Sequence, residues 1–398
     1  MRRYTMPFKG ITIGIPKEIM PGERRVAAIP QTVRQFTAGG ARVLVETGAG
    51  IGSYLDDRDY QEAGAGIATT PGEIYSNANL ILKVKEPLYN GQLQVHEAEQ
   101  LTEESTLICF LHPANPANHQ TIRILARRRV SSFTLDGIPR ISRAQQMDSL
   151  TSMSTIAGYK AVILGAFHLP RFIPMMPTAF GVIQPAEILV VGVGVAGLQA
   201  IATAKRLGAK VKALDIRPEA NEQAKSLGAT VVPFDVPPRL ALGKGGYALR
   251  LPEEWYLKER EALLPAVKNA DILILTALIP GEEAPLLIDE HMVKQMKPGA
   301  VIVDIAVDQG GNCTLTHPGE EHSLHGVHII GLLNVPATLA SDATWMFAQN
   351  ARHFLQYIIK DGEIDYDPTD EIIAKSLVTR DGQIVHRGTL LAMEQRKG

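Results

Sequence analysis

The chain is poor in cysteine and nearly balanced in charge. Its 398 residues include only two cysteines, Cys109 and Cys313, which excludes a disulfide scaffold and fits a reducing compartment. Neither cysteine has a metal-ligand spacing with nearby histidines, so we expect no metal site. The formal net charge of −2 argues against a general nucleic-acid-binding surface.

Long apolar runs are also missing. The most apolar stretch, residues 188–204, contains Gln199 and three glycines, whereas a membrane-spanning helix needs about 20 apolar residues. This pattern is more typical of a buried strand, a glycine turn and a helix. The N-terminal Met1-Arg2-Arg3-Tyr4 is not followed by a long apolar segment, so no signal peptide is predicted. We therefore expect a soluble, cytoplasmic protein.

The length and the pattern of the chain predict two domains of the α/β class. A chain of 398 residues is too long for one ordinary core. Strand and helix patterns alternate twice, which predicts two Rossmann-like domains, each with a mostly parallel, doubly wound sheet. We expect residues 1–138 and 335–398 to form the first domain and residues 139–334 the second.

The alternation breaks at residues 234–254, a stretch rich in proline and glycine. Irregular loops of this length are usually functional lids or disordered segments. Composition alone favours a lid and a passive insertion equally.

A glycine motif identifies a candidate nucleotide site. Gly192, Gly194 and Gly197 follow a predicted strand and open a predicted helix, the context in which G-x-G-x-x-G binds dinucleotides. The first glycine allows the tight turn, the second the approach of the pyrophosphate, and the third close helix–strand packing. The backbone N–H groups at the helix start, at Val195 and Ala196, would bind the phosphates.

The end of the next strand predicts which dinucleotide binds. Asp215 lies 18 residues after Gly197, where a carboxylate accepts hydrogen bonds from both ribose hydroxyls and repels a 2′-phosphate. An arginine such as Arg217 can accommodate that phosphate, but Asp215 occupies the strand end. We therefore predict NAD(H) as cofactor, with Ile216 and Arg217 beside the ribose.

At these residues the chain resembles the alpha subunit of the proton-translocating nicotinamide nucleotide transhydrogenase, in its soluble NAD(H)-binding domain. The matching segments cover nearly the whole chain and are clearest at residues 139–148, 194–204, 276–281 and 310–313. Phe180 departs from the family, which usually has a small residue there. The resemblance implies catalytic positioning of the nicotinamide by Arg140, Gln145 and Asp148. It implies further cofactor contacts at Ile141, Ser142, Ala277 and Leu278, and a loop containing Gly246 and Tyr247 that closes over the nucleotide.

The resemblance also implies partners. In that family NAD(H) binds to this domain, NADP(H) binds to a partner beta subunit, and hydride passes directly between the two nicotinamide rings. Such a transfer needs alignment and exclusion of water rather than a protein acid or base. A membrane-spanning subunit couples it to proton translocation. The resemblance therefore implies a homodimer that lies at the inner face of the membrane through its partner subunits.

Alanine dehydrogenase, which deaminates alanine to pyruvate with NAD, shares much of this pattern and is the alternative. The residues that would match its amino-acid site are Arg25, Lys85, His112 and Asp308. There Arg25 would bind the substrate carboxylate, Lys85 would orient its carbonyl oxygen, and His112 would act as general acid and base. Transhydrogenase domains usually lack that histidine, but residues 140–148, the Tyr247 loop and the tail at 361–365 resemble them more. A nucleotide-binding regulatory protein without catalysis explains fewer residues.

Overall fold

The computed structural model describes residues 6–243, 248–279 and 282–394. The chain divides into unit 1, Met1–Met153 with Ala337–Gly398, and unit 2, Ser154–Pro336. The first boundary lies after Met153 rather than at the predicted residue 138, because the following segment is fastened within unit 1. There Asn350 Nδ2 donates a hydrogen bond of 2.8 Å to the Gln146 carbonyl oxygen.

The N-terminal half of unit 1 alternates strands with helices. Its strands are β1 (Thr12–Ile15), β2 (Arg42–Glu46), β3 (Gly66–Ala68), β4 (Leu80–Leu82), β5 (Tyr89–Asn90), β6 (Val95–His96), β7 (Thr106–Cys109) and β8 (Ser131–Thr134). Its helices are α1 (Pro30–Ala38), α2 (Asp57–Glu62), α3 (Pro71–Asn77), α4 (Glu97–Gln100), α5 (His119–Arg127) and α6 (Ser149–His168), the last of which continues into unit 2.

Unit 2 repeats the alternation. Its strands are β9 (Met176–Thr178), β10 (Gly181–Ile183), β11 (Glu187–Val191), β12 (Lys210–Leu214), β13 (Thr230–Val231), β14 (Ile272–Leu275), β15 (Val301–Asp304), β16 (Glu321–Leu324) and β17 (Val327–Ile330). Its helices are α7 (Val195–Arg206), α8 (Pro218–Ser226), α9 (Pro238–Ala241), α10 (Glu253–Asn269) and α11 (Glu290–Val293).

The C-terminal segment returns to unit 1 and completes its sheet. It contains α12 (Ala340–Ile358), β18 (Ile359–Lys360), β19 (Glu363–Ile364), α13 (Glu371–Ser376), β20 (Leu377–Arg380), β21 (Gln383–Ile384) and α14 (Arg387–Glu394). Strand β20 pairs antiparallel with β8. The described 3₁₀ helices are Ile51–Ser53, Pro116–Asn118, Leu135–Gly137, Ser142–Met147, Val307–Gln309 and Val335–Leu339.

Both sheets have the strand order of a dinucleotide-binding fold. The sheet of unit 1 runs β21-β20-β8-β7-β4-β1-β2-β3, and that of unit 2 runs β13-β12-β11-β14-β15-β17-β16. Across the sheet of unit 1, all neighbouring strands in the run β3-β2-β1-β4-β7-β8 are parallel. Across the sheet of unit 2, the same is true of the run β13-β12-β11-β14-β15-β17. Each parallel region therefore has the doubly wound order 3-2-1-4-5-6, which confirms the predicted fold class.

The central strands of unit 2 are buried on both faces. Leu189 and Val191 belong to one apolar core, and Ile188 and Val190 to the other, because successive side chains on a strand point to opposite faces. The apolar run 188–204 is accordingly a strand, a turn and a helix, as predicted.

The three longest helices, α6, α10 and α12, are not among the elements predicted from the sequence. Helix α10 contains Pro265 within it, which normally signals a helix boundary. Helix α6 carries apolar residues on all sides and so lacks the one-sided stripe that indicates a surface helix. The predicted loop at 234–254 contains α9, while residues 244–247 lie outside the described residues.

Among the described residues, helix α6 alone is long and apolar enough by length and composition to cross a membrane, and 33% of its most apolar window is buried. Core helices of soluble proteins meet the same criteria.

A charged network lies buried in unit 1. Lys83 Nζ is 2.8 Å from Glu97 Oε1 and 3.4 Å from Glu18 Oε2, and all three side chains are at most 4% exposed. Burial acts to lower the pKa of Lys83, but the charges of Glu18 and Glu97 outweigh it and hold that pKa well above its usual value. Burial raises the pKa of Glu18 to about 7. The lysine is therefore a fixed structural cation.

We predict that Lys83→Met lowers the free energy of unfolding by about 3–5 kcal/mol, because it leaves the two carboxylates buried without their cation. Chemical denaturation at pH 8 measures the loss. Lys85→Met is the matched control, since Lys85 is only half-buried and its removal should cost less than about 1 kcal/mol. Equal losses in the two variants would contradict the structural role of Lys83.

Candidate nucleotide-binding site

The glycine turn lies between β11 and α7, and each glycine meets a different steric demand. Gly192 has a φ of +87°, and a Cβ there would lie 2.6 Å from the Ala277 nitrogen. At Gly197 a Cβ would lie 2.0 Å from the Gly192 carbonyl oxygen. At Gly194 it would meet nothing within 4 Å. Gly192 and Gly197 thus allow the turn and its packing, and Gly194 leaves open space where a ligand can approach the backbone.

Helix α7 begins at this turn without a side-chain cap. Its N-cap residue is Gly194, which has no side chain that could cap the helix. The N–H groups of the first turn, including those of Val195 and Ala196, therefore point to the open side. With the positive end of the helix dipole, they form an anion site. Gly158 of α6 allows this packing, because a Cβ there would lie 2.0 Å from the Ala196 carbonyl oxygen. No motif in the sequence points to Gly158.

Asp215 follows β12 and is tied to the glycine turn. Its Oδ2 accepts a hydrogen bond of 2.7 Å from the Val193 N–H. Its two oxygens also accept bonds of 2.9 and 2.8 Å from Arg217 Nε and Nη2. Because this bidentate pair directs the guanidinium to Asp215, Arg217 neutralises the carboxylate rather than presenting its charge for a 2′-phosphate. Ile216 is half-buried against the core on the same loop.

A concave surface of about 310 Å³ adjoins Asp215. Its lining includes Ile216, Pro218, Asn221, Val231 and Phe234. Asn221 holds the loop in place, since its Oδ1 accepts from the Asp215 N–H at 3.0 Å and its Nδ2 donates to the Asp215 carbonyl oxygen at 2.8 Å. The recess is also lined by the charged residues Glu222, Lys225 and Asp235. Its apolar side chains would suit a planar base beside the carboxylate predicted to bind ribose.

A second acidic side chain, Glu259 of α10, lies near Asp215. Glu259 is 3% exposed, and burial, followed by the charge of Asp215, raises its pKa to about 8. Glu259 is therefore mostly protonated at neutral pH. The sequence gives no signal for Glu259, because its burial depends on the packing of α10.

The loop after β14, with Ala277 and Leu278, is held by side chains from the loop after β15. Asn312 Oδ1 accepts from the Ala277 N–H at 2.9 Å, and Asn312 Nδ2 donates to the Ala277 carbonyl oxygen at 2.8 Å. Buried Asp304 in turn accepts the N–H groups of Asn312 and Cys313 at 2.8 and 3.0 Å. Leu278 remains 40% exposed. The motif at 310–313 is visible in the sequence, but the roles of Asn312 and Asp304 emerge only from the folded chain.

The predicted nicotinamide residues Arg140, Gln145 and Asp148 lie in unit 1, as do the predicted cofactor contacts Ile141 and Ser142. Arg140, Ser142 and Gln145 are exposed, and Ile141 is half-buried.

Asp148 has a local structural role. Its carboxylate accepts hydrogen bonds from the Thr151 N–H at 2.8 Å and from Thr151 Oγ1 at 2.6 Å, as an N-cap of α6 does. The neighbouring Arg143, which is not among the predicted site residues, pairs with Asp370 at 3.0 Å. The predicted contacts at Gly246 and Tyr247 lie outside the described residues.

The residues of the alternative amino-acid site have the following surroundings. Arg25 is buried, and its Nε and Nη2 donate to Glu23 at 2.8 and 2.6 Å, so Glu23 occupies the fork that a substrate carboxylate would need. Lys85 is half-buried. Asp308, in unit 2, is exposed.

His112, the fourth of those residues, has a left-handed backbone with φ of +43°. Its Nδ1 lies 3.5 Å from Asp136 Oδ2. Burial acts to lower the pKa of His112, but the charge of Asp136 outweighs it and raises that pKa. The ring is therefore more readily protonated than an isolated histidine.

The turn geometry predicts opposite behaviour for two glycine-to-alanine variants. Gly194→Ala should fold with the stability of the parent, because its Cβ meets open space, yet bind NADH at least about tenfold more weakly, because that Cβ stands in the path of the pyrophosphate. Gly197→Ala should lose several kcal/mol of stability through its contact with the Gly192 carbonyl. Fluorescence titration with NADH and thermal unfolding measure the two effects. Undiminished NADH affinity in a folded Gly194→Ala would contradict the site.

Comparisons with known proteins cover both units. The family models for alanine dehydrogenase/PNT match residues 14–157 with their N-terminal domain and 161–387 with their C-terminal domain. The first part of NAD(P) transhydrogenase subunit alpha from Rhodospirillum rubrum is 45% identical over 377 residues, which are 94% of this chain and 97% of that protein. Alanine dehydrogenase of Methanococcus maripaludis is 31% identical over 388 residues, 96% of each chain.

Among solved structures, the transhydrogenase from Sinorhizobium meliloti superimposes with a TM-score of 0.80 at 36% identity and covers 94% of this chain and 99% of its own. The strand order and the glycine turn are those of a dinucleotide-binding fold, and these matches cover nearly the full length of the chain. The chain therefore belongs to the alanine dehydrogenase/PNT family of oxidoreductases.

Proposed function

We propose that the chain is the NAD(H)-binding subunit of a proton-translocating NAD(P) transhydrogenase of the Re/Si-specific type. The observation that carries this proposal is the glycine turn together with Asp215. The Asp215 carboxylate accepts a hydrogen bond from the Val193 N–H of the turn, and Arg217 neutralises its charge within the chain. The 45% identity to a transhydrogenase subunit that the match covers almost entirely, against 31% for an alanine dehydrogenase, supports it.

In this proposal the chain positions a nucleotide and excludes water. NAD(H) bound at the turn of unit 2 would accept or supply hydride at its nicotinamide ring. Arg140, Gln145 and Asp148 would hold the nicotinamide end through hydrogen bonds, with Ile141, Ser142, Ala277 and Leu278 as further contacts. Gly246 and Tyr247 would belong to a loop that closes over the nucleotide. Alignment of this kind lowers the barrier to transfer between two bound rings without a protein base.

The second nucleotide, NADP(H), would bind to a partner beta subunit, and a membrane-spanning subunit would hold the complex at the inner face of the membrane. We also propose that the chain is a homodimer. Apolar side chains on its described surface support a further interface: Phe180, on the β9–β10 turn, is fully exposed at 101%, and Phe167 of α6 is 81% exposed. Large aromatic side chains are enriched at protein interfaces.

Alanine dehydrogenase is the second candidate, and the pairing of His112 with Asp136 favours it. A histidine with a raised pKa can donate and accept a proton near neutral pH. The pairing of Arg25 with Glu23 counts against it, because the guanidinium that would bind the substrate carboxylate is already paired. A regulatory protein without catalysis leaves the similarity to enzymes unexplained.

We predict negligible alanine-dependent reduction of NAD by the purified chain. Hydride exchange between NADH and NADP should appear only after an NADP(H)-binding beta subunit is added. The two reactions are followed by absorbance of the reduced nicotinamide, with an NADH analogue to distinguish donor from product. Alanine oxidation at an ordinary enzymatic rate that is abolished by His112→Ala would overturn the proposal in favour of the dehydrogenase.

In the same assay, Gln145→Ala should lower the exchange rate at least about tenfold and change NADH affinity little, because it removes positioning used in the transition state. Gln146→Ala is the matched control: it is an adjacent exposed glutamine, whose described contact uses its backbone oxygen. Equal rates for the two variants would remove Gln145 from the proposed site.

A further inference from the structure

A cluster of histidine and glutamate side chains lies at the edge of unit 2, apart from the glycine turn. Strands β16 and β17 form an antiparallel pair there, and His168 is the last residue of α6. His168, Glu321 and His328 bring one ligand atom each to within 4.8 Å of one another. None of them belongs to the site proposed for the nucleotide.

The distances within the cluster suit a shared metal ion. Glu321 Oε2 lies 3.4 Å from His168 Nε2 and 3.7 Å from His328 Nε2. Ligand atoms bound tetrahedrally to one zinc ion at about 2.0–2.2 Å are about 3.3 Å apart. The two imidazole rings are stacked, with centroids 4.3 Å apart and planes at 21°. Because the lone pair of an imidazole nitrogen lies in the plane of its ring, at least one ring would have to rotate out of the stack for both nitrogens to bind one ion.

One nitrogen of the cluster is buried and unsatisfied. His328 Nε2 has no hydrogen-bond partner among the described residues, a costly condition for a buried polar atom. The other ring nitrogen, Nδ1, lies 3.2 Å from Ser323 Oγ. The serine hydroxyl can accept a hydrogen bond from a protonated Nδ1, and in that tautomer Nε2 carries the lone pair that a metal needs.

The donor set selects the kind of metal. Two imidazole nitrogens and one carboxylate suit zinc and neighbouring transition metals, whereas magnesium and calcium prefer oxygen ligands alone. Three protein ligands leave a fourth position for water.

The cluster lies at the opposite end of the sheet from the nucleotide turn. His328 pairs with Val301, the first residue of β15, so it stands at the amino end of the parallel strands, whereas Gly192 follows the carboxyl end of β11. A metal bound here would join the end of α6 to the β16–β17 pair. It would stabilise unit 2 without touching the nucleotide.

A neighbouring trio provides an internal control. His317, Glu320 and His322 also lie close together, and both ring nitrogens of His322 are buried without a hydrogen-bond partner among the described residues. The trio differs in exposure, since His317 and Glu320 are 60% and 66% exposed. Because side chains alternate along a strand, His322 points to the face opposite Glu321. The adjacent glutamates Glu320 and Glu321 thus belong to different clusters.

We propose that His168, Glu321 and His328 bind one zinc ion, with water in the fourth position. This goes beyond the proposed function and does not depend on it. The test is isothermal titration of the full chain, without a histidine tag, with zinc chloride and separately with magnesium chloride. We expect one zinc ion per chain at this site and no magnesium binding.

Paired variants locate the ion. Glu321→Gln and His328→Gln should weaken zinc binding at least about tenfold, and Ser323→Ala about tenfold. Glu320→Gln and His317→Gln should bind as the parent does. Zinc should also raise the melting temperature of the parent and of Glu320→Gln but not of Glu321→Gln, a readout that does not require a variant to match the parent in stability, and NADH affinity should stay the same with and without zinc.

Three results would overturn the proposal. The first is absence of zinc binding by the parent chain. The second is binding that survives Glu321→Gln and His328→Gln, and the third is binding that is lost in Glu320→Gln or His317→Gln instead.

Discussion

The close contact between the start of α7 and the glycine turn is the constraint on which the nucleotide site depends. A Cβ at Gly197 would lie 2.0 Å from the Gly192 carbonyl oxygen, so only glycine lets the helix begin directly after the strand. That approach directs the uncapped N–H groups of α7 to the open side of Gly194. The anion site is therefore a consequence of backbone packing, and the side chains around it serve to keep the packing in place.

Charge around this turn is balanced within the chain. Asp215 is neutralised within the chain by Arg217 and fastened to the Val193 N–H, while burial keeps Glu259 mostly protonated. Asp304 accepts a hydrogen bond from the Asn312 N–H, and the Asn312 side chain in turn holds the Ala277 loop. Asp215 is 6% exposed and already accepts four hydrogen bonds, from the Val193 N–H and from the N–H, Nε and Nη2 of Arg217. Ribose hydroxyls would therefore have to displace contacts of Arg217 in order to bind this carboxylate.

Local features were predictable from the sequence, and features that depend on distant packing were not. The turn at Gly192 and the carboxylate of Asp215 follow from spacing after a strand, and the structure has both. The Asn312 clamp joins two loops 35 residues apart. The sequence singles out Lys85 as a site residue and gives no signal for Lys83, whose pairing with Glu18 and Glu97 is seen only in the folded chain. Arg25 matches a substrate-binding arginine by motif, but its pairing with Glu23 is seen only in the folded chain.

In the proposed function, selection of NAD(H) depends on Asp215. The most direct measurement is a pair of titrations of the unmodified chain, with NADH and with NADPH, at the same ionic strength. We expect NADH to bind at least about tenfold more tightly, because a 2′-phosphate would meet a carboxylate whose arginine is already paired. We expect Asp215→Asn to weaken NADH by roughly 1.5–3 kcal/mol. Equal affinities of the unmodified chain for the two nucleotides would contradict this account.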